Sequence, residues 1–123
     1  MAKIRRYKLS WEPSYSKQVV GYRLYWSKGE KVNYDSHFFE LGNVHEVVLP
    51  DILKHRPKYP FSIVLGISAV DIYGNESDII ALPEPYTTDI PLQPTGLSLK
   101  KLDDFLVVEV DKEEMPTPQT LSE

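Results

Sequence analysis

The sequence predicts an all-β sandwich, and three observations carry that prediction. Apolar residues alternate with period two through most of the chain. Pro, Gly, Asn and Asp interrupt the alternation at close intervals. Helical spacing is sustained nowhere. Ten Pro and six Gly in 123 residues favour short elements joined by turns, and 41% hydrophobic residues suffice for a core.

The elements follow in order. Tyr7, Leu9 and Trp11 share one face of a first strand, with Arg6, Lys8 and Ser10 opposite; Glu12-Pro13-Ser14 ends it. The next strand runs from Val19 to Ser27, with Tyr22, Leu24 and Trp26 on one face and Arg23 and Tyr25 on the other. Ser27-Lys28-Gly29-Glu30 is a turn, and a weaker extended stretch spans His37 to Leu41. His45 to Leu49 forms another strand with Val47 and Leu49 in phase; Ile52 and Leu53 after it form an apolar plug. Lys54 to Pro60 is a basic, proline-bearing loop. Phe61 to Asp71 is the strongest strand: Ile63, Leu65, Ile67 and Ala69 face one way, and Ser62, Val64, Gly66, Ser68 and Val70 the other. A turn at Tyr73-Gly74-Asn75 leads to a short strand from Ile79 to Leu82.

Several of these runs resemble a fibronectin type III domain, in the family's own order. Leu9-Ser10-Trp11-Glu12-Pro13 resembles its second strand, and Val20-Gly21-Tyr22-Arg23-Leu24-Tyr25-Trp26 its third. Leu41-Gly42-Asn43-Val44-His45 leading into Val47-Val48-Leu49 is similar to the approach to its fifth. Ile67-Ser68-Ala69-Val70-Asp71 with Gly74-Asn75-Glu76-Ser77 is similar to its sixth and the turn after it. The resemblance covers about residues 4–83 and implies an immunoglobulin-like sandwich that binds protein surfaces. It departs from the family twice. Ile63 stands where a corner tyrosine is usual, with Tyr59 and Phe61 upstream, and only three residues precede Ile4, where a first strand belongs.

The domain organisation expected is a sandwich over residues 1–83, a proline-rich linker with a β-strand extension over 84–110, and a disordered tail over 111–123. In the extension, Gly96 to Leu102 has Leu97 and Leu99 in phase, and Phe105 to Val110 is a second apolar run. Pro91 to Leu99 resembles the family's first strand. Two readings stand: the start of a second, cut-off domain, or strands that complete the sandwich on the edge at Tyr7 to Trp11, from the same chain or another. The second assigns self-assembly to Tyr7, Leu9, Leu97, Leu99, Phe105 and Val107.

Composition bounds the function. Fourteen basic against eighteen acidic residues give a net charge of −4, a poor match to nucleic acid. The absence of Cys removes disulfides and thiolate metal sites. No run has membrane-spanning length, so no membrane partner is expected. The basic N-terminus lacks an apolar run behind it; with Met1 as the natural start, that pattern implies the cytoplasm. No cofactor and no catalytic residues are expected. Asp35-Ser36-His37 has triad chemistry, but in an extended segment Ser36 points away from His37.

The function expected is therefore a non-catalytic protein-binding module, a homodimer assembled by strand exchange. The alternative is an accessory or spacer module of a larger secreted or carbohydrate-active protein, with a glycan as partner. Two further surfaces are candidates. One is the loop end bearing Tyr15, Tyr73 and Asn75, where Tyr with Ser, Gly and Asn gives adaptable contacts. The other is an outward sheet face with Tyr25, Val64 and Val70 beside small Gly66 and Ser68.

Overall fold

A computed structural model describes residues 1–29, 31–53 and 58–111. The described residues form seven strands and no helix: β1 (Tyr7–Ser10), β2 (Val19–Ser27), β3 (His37–Gly42), β4 (Glu46–Leu49), β5 (Phe61–Asp71), β6 (Ile80–Ala81) and β7 (Tyr86–Thr88). They make two sheets. One is the antiparallel pair β1–β4; the other has the order β3-β2-β5-β6, with β7 also on β5. The two sheets pack together as a β-sandwich.

The core lies where the alternation predicts. Tyr22, Leu24 and Trp26 of β2 stand opposite Ala69, Ile67 and Leu65 of β5, and all six are buried. Leu9, Trp11, Val47 and Leu49 meet them from the two-stranded sheet. Leu24, Leu53 and Leu65 retain no solvent exposure, so the plug read at Ile52 and Leu53 closes one end of the core.

Two features differ from the sequence reading. The segment after Pro83, read as linker, supplies β7: Tyr86 and Thr88 are buried and pair with Ile63 and Phe61. Proline is tolerated because this is a short edge element whose outer side forms no ladder. The chain divides into Met1–Leu92 and Gln93–Glu123, so the first unit extends past residue 83. In the second unit, the strands expected at 96–102 and 105–110 are absent; residues 93–111 carry no regular secondary structure. An alternating pattern stabilises a strand only when a partner strand accepts its hydrogen bonds. The tail beyond residue 111, and residues 54–57 with His55 of the basic loop, lie outside the described residues.

Candidate binding surfaces

The β1 edge is the first candidate. β1 pairs with β4 in the register Tyr7↔Leu49 to Ser10↔Glu46, and has no other ladder among the described residues. Its free side borders a groove of about 410 Å³ between the two sheets. Leu9 and Trp11 form one wall, Leu65 and Ile67 the floor, and Ile80 and Leu82 the other wall. The Tyr7 ring of β1 meets Tyr86 of β7 edge-on at 6.0 Å. The Trp11 indole N–H is buried and donates to no acceptor, an unusual state for a buried donor.

The outer face of the larger sheet is not the flat apolar patch expected from Tyr25, Val64 and Val70. Tyr25 is only 1% exposed, and Val64 and Val70 are half-buried. A polar cluster covers this face instead, centred on Glu76. Both Tyr25 and Ser68 donate their hydroxyls to Glu76 Oε2. Arg23 Nη1 donates to Glu76 Oε1 at 3.0 Å, while Arg23 Nε donates to Glu40. The guanidinium also lies 4.6 Å from the centre of the Phe38 ring. Tyr34 packs edge-on against Tyr25 and donates its hydroxyl to the Ser77 carbonyl at 2.8 Å. Burial, then the bond to Glu76, pushes the Tyr25 phenol above its ordinary value. The arrangement holds two loops against the sheet and leaves little of the expected patch open. Sequence reading assigned Asn75-Glu76-Ser77 to a turn; nothing local marks Glu76 as the centre of a cluster.

The loop end is the third candidate, and here the structure joins the two segments that carry the predicted residues. The Ile72 amide donates to the Gln18 carbonyl at 3.0 Å, tying the loop after β1 to the loop after β5. The second loop is organised by Asp71, whose Oδ1 accepts from the amides of Tyr73 and Asn75 at 2.9 and 2.8 Å. The Asn75 side chain donates to Asp71 Oδ2, so it serves the turn as well as the surface. Gly74 has φ +86°, which a β-carbon would strain. Tyr15, Ile72 and Tyr73 project from this braced tip, with Tyr15 fully exposed.

Burial raises the Asp71 pKa, but the Asn75 and Tyr73 amides outweigh it, and the net direction is down. The sign follows from linkage. A carboxyl depressed in the folded state adds stability above its unfolded pKa, and loses it as pH falls through the folded value. The Tyr73 and Asn75 amide resonances are therefore expected to titrate together, with a midpoint below that of an ordinary aspartate. An acid titration followed by NMR checks this; a midpoint at or above the ordinary value would contradict it.

The Asp35-Ser36-His37 run does not form a triad. Ser36 and Asn33 close a local turn, the Asn33 amide donating to Ser36 Oγ at 2.9 Å. His37 instead stacks on Trp26 at 4.5 Å. No three His, Asp or Glu side chains converge on a metal position among the described residues.

The chain matches no protein-family model, and neither a curated protein nor a solved structure matches it significantly.

Proposed function

We propose that this chain is a fibronectin type III-like module that works by protein binding, and that it self-associates by strand exchange. The observation that carries the assembly reading is the second unit. Leu97, Leu99, Phe105, Leu106 and Val107 are each at least 85% exposed. An apolar run of this kind in a soluble chain marks an interaction site or an aggregation hazard. The free side of β1 supplies the complementary feature, a row of backbone donors and acceptors. The strand order β1-β4 over β3-β2-β5-β6 supports the sandwich type, since it equals that family's arrangement without its first strand.

Sedimentation equilibrium of the full chain tests the assembly. The expected result is a dimer that the variant carrying Leu97→Asp and Phe105→Asp dissociates. A wild-type chain that stays monomeric at high micromolar concentration would overturn it.

The braced tip with Tyr15 and Tyr73 favours a second protein-binding surface. Its hydrogen bonds hold the backbone in place before a partner arrives, which lowers the entropy lost on binding.

A further inference from the structure

The assembly reading leaves open where the exchanged segment sits and which residues it uses. We propose that residues 95–101 of a second copy lie in the groove between β1 and β6, parallel to β1. Leu97 and Leu99 turn inward beside Leu9 and Trp11. This placement rests on the assembly reading above and adds the seat, the segment and the register.

Three observations select it. First, the groove is an apolar slot with one wet side, so it needs an occupant that is apolar on one face only. Residues 97–100 alternate Leu, Ser, Leu, Lys, whereas 105–108 are apolar on both faces. Ser98 and Lys100 would then lie on the solvent side, beside Ser10 and Glu12.

Second, the buried Trp11 indole N–H lines this groove and lacks an acceptor. An unpaired buried donor is costly, and an extended segment laid along β1 brings backbone carbonyls to that wall. Third, Glu12 and Asp78 stand at the Trp11 end of the groove and join no ion pair among the described residues. Parallel pairing carries Lys100 and Lys101 toward them. The antiparallel choice would carry those lysines toward Arg6 and Lys8, where like charges repel.

The absence of native cysteine makes the placement directly testable. In parallel register Ser98 lies opposite Ser10, with Cα atoms about 4.8 Å apart as in any neighbouring strands, within the span of about 4.4–6.8 Å that a disulfide bridges. The full chain carrying Ser10→Cys and Ser98→Cys is oxidised mildly and its products separated by mass. A disulfide-linked dimer as the main product is expected, with little from the control pair Ser10→Cys and Val107→Cys. A wild-type dimer whose 10/98 pair stays unlinked overturns the groove assignment and leaves the assembly reading standing. Preferential linkage through position 107 assigns the seat to the other segment and overturns it as well. A 10/98 disulfide within one chain overturns the second copy as occupant. A monomeric wild type overturns both readings.

Discussion

Replacing Glu76 by alanine is expected to destabilise the sandwich by about 2–4 kcal/mol, because it leaves several buried or half-buried partners unmet at once. Tyr25 and Ser68 would lose the acceptor for hydroxyls that are almost wholly buried. Each such loss costs about 1–3 kcal/mol. Arg23 would keep Glu40 and lose Glu76, and its side chain is only 29% exposed. Water can reach part of the cluster, which keeps the total below the sum of the single terms. Glu76→Gln retains an acceptor for one hydroxyl but not the charge facing Arg23, so it should fall between wild type and alanine. Urea unfolding of the three proteins measures this order. A Glu76→Ala midpoint indistinguishable from wild type would show that the cluster contributes little to stability. Glu76 also ties the turn after β5 to β2, so added mobility in residues 75–79 should accompany the loss.

Gly66→Ala is expected to cost about 1–3 kcal/mol, from overpacking rather than from a cavity. A β-carbon at Gly66 would stand 2.6 Å from Ile79 Cγ2 and 2.8 Å from Val32 Cγ2. Both are methyls of β-branched side chains, which cannot swing aside without leaving their χ1 wells. Glycine is ordinarily a poor strand residue, so alanine would be neutral or favourable here if space allowed. The sign of the effect therefore reports whether Val32 and Ile79 are held against the sheet. Adding Ile79→Ala removes the closest methyl, and the double variant should recover part of the loss despite its own truncation. A thermodynamic cycle over the four proteins isolates the coupling. Additive effects would mean that the two positions do not touch.

These two residues lie on the face where the sequence reading went furthest astray. Small Gly66 and Ser68 beside Tyr25 look like an open, flat surface when only one strand is considered. Pairing changes that meaning. Register sets Tyr25 opposite Gly66 and Arg23 opposite Ser68, and β3 sets Phe38 and Glu40 on the other side. Glu76 then reaches across to Arg23 and Tyr25, which lie about fifty positions earlier in the chain. No window of neighbouring residues contains that relation.

The long strands were legible because their signal is local. β2 and β5 begin and end where alternation and turn residues place them, at Val19–Ser27 and Phe61–Asp71. Each inward residue needs only the opposite face to be wet for the pattern to form. β7 was missed because Pro83 and Pro85 mask the alternation of Tyr86 and Thr88, which a free edge nonetheless tolerates. The runs at 96–102 and 105–110 erred the other way: they have strand character but join no ladder among the described residues. Tyr15 and Tyr73 are exposed in their loops, but the bond that joins the two loops links Ile72 to Gln18 and has no sequence signature.

The sequence by itself determined an all-β chain, the in-and-out alternation of its long strands and the core they bury, because side-chain direction in a strand repeats every second residue. Tertiary structure alone decided that the outer face is closed around Glu76, and that an apolar groove lies between β1 and β6. Both depend on which strands become neighbours, and that is set by pairing between residues far apart in the chain.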